Sequence, residues 1–215
     1  MGLVIAVDGP AASGKGTVAQ GLASLYSLPY LDTGLLYRAV GVLAHRQSGT
    51  VAEAAAEAAA RALDPQVLDD PQLRTRAAGE LASQAAVYPA VRAALLAFQR
   101  DFAGQAGGAV LDGRDIGTVI APSAPAKLFV TASPRVRAER RWKQLTGQGE
   151  TVSFDDILAD IRLRDERDSG RAAAPLTQAA DAVLLDTSQM TISQAADAAR
   201  RIVEAARARW DHSRG

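Results

Sequence analysis

LVIAVDGPAASGKGT (Leu3–Thr17) joins an apolar run of strand type to a turn of small residues, and the turn delivers Lys15 to the start of a helix. Gly9, Gly14 and Lys15 have the spacing of a phosphate-binding loop. Backbone N–H groups converge on a polyphosphate only where side chains stay out of the way, which accounts for the run of Gly and Ala. The start of the following helix adds unpaired donors and a partial positive charge. One detail departs from the strict motif: Gly16 follows the lysine, and the hydroxyl comes one place later at Thr17. A tight strand-to-helix turn with an incidental surface lysine is the plainer alternative. The order strand, glycines, lysine, helix selects the phosphate loop over it.

Working outward, residues 15–27 carry Val18, Leu22 and Leu25 at helical spacing, and Pro29 closes the segment. Residues 30–32 predict a short strand that turns into a helix over 34–47. Residues 51–63 are alanine-rich with Glu53, Glu57 and Arg61 at i,i+4 spacing, a solvated helical face. Asp64-Pro65 and Asp69-Asp70-Pro71 mark a break, and helices over 72–86 and 89–104 follow, split at Pro89. Further strands are expected over 109–112, 127–130 and 182–185. Ser133-Pro134 is an N-cap followed by proline at the first helical position, opening a helix to about 146. Helices over 154–168 and 193–210 complete the series, with fraying expected from His212. Strands alternating with helices predict an α/β three-layer sandwich of about five parallel strands, with helices on both faces. The core is expected over about 1–50, 105–146 and 172–215, a helical lobe over 51–104, and a short arginine-rich lid over 147–171.

Composition bounds the partners. The 215 residues suffice for one substantial core with a mobile appendage. Lys+Arg and Asp+Glu balance at 24 each, so no global field draws the chain to nucleic acid or membrane. Only Lys15, Lys127 and Lys143 among the basic residues are lysines, and arginine suits bidentate recognition of phosphate. The absence of cysteine excludes disulfides, thiolate metal sites and cysteine nucleophiles. Neither a signal-peptide pattern nor a run of eighteen apolar residues is present, so the expectation is a cytoplasmic protein. Balanced charge without an evident exposed apolar stripe predicts a monomer.

Three clusters beyond the loop carry chemistry, each at the expected carboxyl end of a strand, where α/β sheets bind ligands. Asp32-Thr33-Gly34 with Tyr37 and Arg38, taken alone, reads best as a capped helix start with a solvated arginine. Asp112-Gly113-Arg114-Asp115-Ile116-Gly117-Thr118 places an arginine between two aspartates directly after an apolar strand, which a mere turn does not need. Asp112 stands where phosphate-loop enzymes keep a carboxylate for the Mg²⁺ hydration shell, and Arg114 can fork onto a phosphate. Arg162, Arg164, Asp165, Glu166, Arg167, Asp168 and Arg171 would ordinarily build a solvated, salt-bridged helix. Flanked by Gly147, Gly149 and Gly170 and paired with a phosphate loop, they predict a closing lid, since phosphoryl transfer needs positioning, charge neutralisation and water exclusion. His45 and His212 are expected to be incidental, and Trp142 and Trp210 to serve packing.

Together, GPAASGKGT (9–17), LDTGLLYR (31–38), ASQAAVYPAVR (82–92), LDGRDIGTV (111–119) and RLRDERDSGRAAAPL (162–176) resemble the bacterial cytidylate kinases, within the nucleoside monophosphate kinases. The resemblance implies ATP + CMP ⇌ ADP + CDP in pyrimidine nucleotide metabolism, with dCMP as second acceptor and Mg²⁺ required. It also implies residue roles. Gly9, Pro10, Ala11, Ala12, Ser13, Gly14, Lys15, Gly16 and Thr17 would hold the ATP phosphates. Thr17 and Asp112 would hold the metal, mostly through water. Thr33, Arg92 and Asp115 match positions near the cytosine, and Ser83, Arg164 and Asp168 positions at the ribose. Arg38, Arg114 and Arg171 match the arginines that gather phosphates, so Lys15, Arg114, Arg164 and Arg171 form the expected catalytic set. The chain departs from the pattern at Pro65–Arg74, a short stretch where many members carry a three-stranded antiparallel sheet. Rival readings are a kinase for UMP or AMP, a GTP-binding switch lacking its Asn-Lys-x-Asp motif here, and a catalytically dead phosphate-loop protein.

Overall fold

The computed structural model describes residues 2–212 and divides into two compact units, residues 1–31 with 103–215, and residues 32–102. The first unit is built on a five-stranded parallel sheet: β1 (Leu3–Asp8), β2 (Tyr30–Asp32), β3 (Gly108–Gly113), β4 (Ala126–Thr131) and β5 (Val183–Asp186), in the spatial order β2-β3-β1-β4-β5. β1 pairs with β3 from Leu3↔Gly108 to Asp8↔Gly113, and with β4 from Ile5↔Ala126 to Asp8↔Phe129. The chain leaves β1 towards β2 on one side and later reaches β4 on the other, so the topological switch point falls at the carboxyl end of β1. That end carries Asp8 and the phosphate-loop sequence.

β1 is apolar on both faces because both are covered. Ile5 and Val7 enter a core with Val18, Ala19 and Leu22 of α1 (Lys15–Tyr26) and Ala195, Ala199 and Val203 of α8 (Ile192–His212). Val4 and Ala6, alternating onto the opposite face, are buried as well. The remaining helices of this unit are α6 (Pro134–Gly147) and α7 (Phe154–Ser169). Phe154, Ile157, Leu158 and Ile161 form an apolar stripe along α7 at i, i+3, i+4 and i+7. It meets Ala138, Trp142 and Leu145 of α6, and Trp142 Nε1 donates to the Val152 carbonyl at 3.1 Å. Of these, the large side chains Leu145, Ile157 and Ile161 are buried. At about 2 kcal/mol each, they outweigh any surface ion pair on the same helix.

The second unit is helical: α2 (Thr33–Ser48), α3 (Glu53–Arg61), α4 (Arg76–Ala85) and α5 (Pro89–Ala103). It takes in α2 as well as the stretch from 51 onward, because α2 packs closely on α4: a Cβ at Gly41 would stand 2.6 Å from the backbone of Leu81. Pro65–Asp69 and Pro71–Arg74 are 3-10 turns, each opened by an aspartate that accepts from an amide two residues on, Asp64 from Gln66 (2.9 Å) and Asp70 from Gln72 (2.8 Å). The helix expected from residue 72 therefore starts later, at Arg76, with Thr75 as its N-cap. α8 continues to His212, two residues past the expected end at 210, and residues 213–215 lie outside the described residues. Among the described residues no single helix is long and apolar enough to cross a membrane.

Candidate active site

The phosphate loop runs from Gly9 to Gly14 between β1 and α1. Gly9 has φ +153°, and a Cβ there would meet the Val130 carbonyl at 2.0 Å, so only glycine lets the chain leave β1 along this path. Ala12 and Gly14 are also left-handed, at φ 59° and 89°. The outward carbonyls are held from behind. Arg137 donates to Ala11 O (3.2 Å), while Arg140 and the Thr187 hydroxyl donate to Ser13 O (3.2 and 3.0 Å). With its carbonyls engaged in this way, the loop can present its amides on the other side. Gly14, the N-cap of α1, has no side chain to lay over the first-turn amides, the arrangement in which a helix start receives a phosphate.

Arg137 deserves its burial: its guanidinium, 3% exposed, joins three segments. Nε donates to Ala132 O at the exit of β4 (2.8 Å), and the fork donates to both oxygens of Asp165 on α7 (2.9 and 2.5 Å). One side chain thus couples the phosphate loop, the sheet and the arginine-rich helix.

The loop after β3 is anchored by Asp8. The carboxylate is buried, and its two oxygens accept from the successive amides of Ile116 and Gly117, both at 2.8 Å. Burial pushes its pKa up to about 6 against the lowering effect of those two hydrogen bonds, with the neighbouring Asp115 raising it and Arg114 lowering it further. Arg114 Nε donates to Asp168 Oδ2 at 2.7 Å, and Arg171 donates to Asp168 Oδ1. Burial alone would raise the Asp168 pKa, but Arg114, Arg171 and Arg164 together hold it below the usual carboxylate range. The structure thus gathers Arg114, Arg164, Asp168 and Arg171 around one carboxylate. Asp115 is buried beside them at the start of the π-helical turn Ile116–Ile120.

Asp112, also buried, accepts from the Tyr30 hydroxyl at 3.2 Å. Its Oδ2 lies 3.4 Å from where a Cβ of Gly16 would stand, which places the carboxylate against the first turn of α1, next to Thr17. A carboxylate and a hydroxyl are hard oxygen donors suited to Mg²⁺. Among the described residues no cluster of three His, Cys, Asp or Glu is placed to hold a metal ion.

In the second unit, Asp32 caps α2 through Gly34 N at 2.9 Å. Arg38 is not solvated as expected: it donates to the Leu73 and Thr75 carbonyls at 2.8 and 3.0 Å. Arg92 lies over the Tyr37 ring, 5.4 Å from its centroid. Thr33 and Ser83 are buried. The roles of Asp8, Tyr30, Arg137, Arg140 and Thr187 were not foreseen from the sequence. An acid ending an otherwise apolar strand was the one available signal, at Asp8.

Known proteins with this arrangement can be named. A cytidylate kinase family profile matches residues 5–205. A cytidylate kinase of Caulobacter sp. (strain K31) is 68% identical over 216 residues, covering 100% of both chains. Those of Caulobacter vibrioides (strain NA1000 / CB15N) and Xanthobacter autotrophicus (strain ATCC BAA-1158 / Py2) are 70% and 65% identical, over 97% and 96% of this chain and 99% of each relative. The crystal structure of an uncharacterized protein from Eubacterium ventriosum ATCC 27560 shares the fold, with TM-score 0.56 and 15% identity over 94% of this chain and 98% of that one. A glycine-capped phosphate loop, an arginine-ringed aspartate at the same sheet edge and end-to-end identity of this size lead to one assignment: the chain belongs to the cytidylate kinase family.

Proposed function

We propose that the protein transfers the γ-phosphoryl group of ATP to the 5′-phosphate of CMP, with dCMP as a second acceptor. The observation that carries this reading is the pairing, on one sheet edge, of a glycine-capped phosphate loop with the Arg114–Asp168–Arg171 cluster. The bond between the γ-phosphorus and the β,γ-bridging oxygen breaks as a phosphate oxygen of CMP attacks in line, and ADP leaves. The attacking oxygen is already anionic, so no side-chain base is required. The amides of residues 9–17 hold the donor phosphates, and Lys15 balances their charge. Arg38, Arg114 and Arg171 hold phosphate oxygens. Thr33, Arg92 and Asp115 read the cytosine, whose exocyclic amine needs an acceptor and whose ring needs a donor. Ser83, Arg164 and Asp168 serve the ribose. Thr17 and Asp112 would hold Mg²⁺, mostly through water, and the ion would supply charge neutralisation to the donor phosphates. The enzyme is proposed to work as a cytoplasmic monomer in pyrimidine nucleotide metabolism.

A side-by-side assay of CMP, dCMP, UMP and AMP with ATP and Mg²⁺ tests the acceptor. CMP and dCMP should lead, and UMP or AMP outrunning both would overturn the assignment. Lys15→Met should cut kcat by roughly 10²-fold or more, the usual loss of a preorganised charge at the transition state. Near-normal turnover of that variant would sink the donor reading.

A further inference from the structure

We infer that Asp8 is a positioning residue for the acceptor, tying the Arg114–Asp115 loop to the start of the phosphate loop through the amides of Ile116 and Gly117. The inference rests on the proposed acceptor roles of Arg114 and Asp115.

Asp8 is the last residue of β1, and Gly9 of the phosphate loop follows it directly. Its backbone is held on both sides, by Gly113 of β3 and Phe129 of β4. The carboxylate is therefore a stationary point, and both oxygens are spent on the first two amides of the turn Ile116–Ile120, each at 2.8 Å. Those amides open a helical turn and have no partner within it. The usual solution is a side chain at the N-cap itself. Here the N-cap is Asp115, at φ −144° and ψ 24°, and its side chain makes no cap bond. Asp8 caps the turn from a neighbouring strand instead.

A carboxylate ending a buried strand is costly, and the cost is plain in its raised pKa. A turn needing only satisfied amides could be capped locally at no such expense. What the remote cap adds is distance control: residues 114 and 115 are set relative to residue 9 by one side chain and two hydrogen bonds. Gly117 completes the fit, since a Cβ there would stand 3.3 Å from Asp8 Oδ2 and 3.2 Å from Lys127 Cδ.

The test is Asp8→Asn, in which one oxygen is replaced by an NH₂ that faces a backbone N–H, donor against donor. The KM for CMP should rise at least about tenfold and kcat should fall, as expected when a binding group is misplaced. The Kd of a non-hydrolysable ATP analogue should change by less than about twofold. Parallel losses for CMP and the ATP analogue, or no loss for either, would overturn the inference. Should Asp8→Asn lack a cooperative unfolding transition, Gly117→Ala perturbs the same contact with Asp8 intact. It should raise the CMP KM while sparing the ATP analogue, and an unchanged CMP KM overturns the proposal. Arg114→Ala and Asp115→Ala run alongside separate the two levels. If neither raises the CMP KM, the acceptor reading of the loop fails. If both raise it and Asp8→Asn does not, the positioning role alone falls.

Discussion

Two buried aspartates, Asp8 and Asp168, answer burial in opposite ways. Asp8 is satisfied by neutral amides, which do not offset its desolvation, and its pKa rises from 3.8 to about 6. Asp168 is ringed by Arg114, Arg171 and Arg164, which overcome the same penalty and lower its pKa. The consequences for stability differ in sign. The folded state holds the Asp8 proton more tightly than the unfolded chain, so the stability it contributes is complete below pH 3.8 and is lost as pH rises through 6. The span corresponds to about 3 kcal/mol at 1.36 kcal/mol per pH unit. The difference in unfolding free energy between wild type and Asp8→Asn should therefore change by about that amount between pH 4 and pH 7, read from urea titrations, and a pH-independent difference would refute the shift. CMP kinetics alone would mislead here, because a phosphate monoester also titrates near pH 6. For Asp168 the contribution is present above the ordinary carboxylate pKa and lost as pH falls through its depressed one. Asp168→Asn removes the charge that balances Arg114, Arg171 and Arg164 and should cost about 3 kcal/mol at pH 7. A loss in urea unfolding too small to measure would mean that the arginines find other partners.

At the scale of elements, α6 and α7 form a hairpin whose apolar seam and Arg137–Asp165 pair act together. A lysine at 137 keeps the charge but has neither the planar fork for Asp165 nor a second arm for Ala11 O. Arg137→Lys should destabilise the protein by about 2 kcal/mol and raise the KM for ATP more than that for CMP, because the phosphate loop loses its support at Ala11. Steady-state kinetics with each substrate varied in turn checks this, and equal shifts in both KM values would count against it. Much of this architecture was legible in the chain. β1, β3 and β4 announce themselves as short apolar runs because the middle of a parallel sheet is covered on both faces, and Ser133-Pro134 and Pro89 mark helix starts by local chemistry. What was not legible depends on distance. Arg137 looks like any helix-surface arginine until folding brings Ala11, 126 residues away, against it. Arg38 looks solvated until two Asp-Pro turns bring the Leu73 and Thr75 carbonyls to its guanidinium. The apolar stripe along α7, visible in the sequence, shows which face of that helix is seated on α6.

For the whole molecule, the division into two units bears on how a ligand should register. The proposed donor residues, 9–17, all lie in the first unit, whereas the proposed acceptor residues are distributed over both. Residues 65–74 form two 3-10 turns, each opened by an aspartate cap. The second unit is thus a helical scaffold with capped 3-10 turns in place of strands, and its buried Thr33 and Ser83 sit on helices rather than loops. Helical amides exchange by local opening, and a ligand that binds only the closed form slows exchange where it bonds. A non-hydrolysable ATP analogue alone should slow amide exchange over residues 9–17 and the first turn of α1. CMP alone should slow residues 33–38 and 83–92 in one unit and residues 113–117 and 164–171 in the other. Exchange measured by mass spectrometry on the full chain decides the matter. CMP protection confined to a single unit would break the assignment of Thr33, Arg38, Ser83 and Arg92 to the same acceptor as Arg114 and Asp115, because one bound nucleotide must register at every residue that holds it.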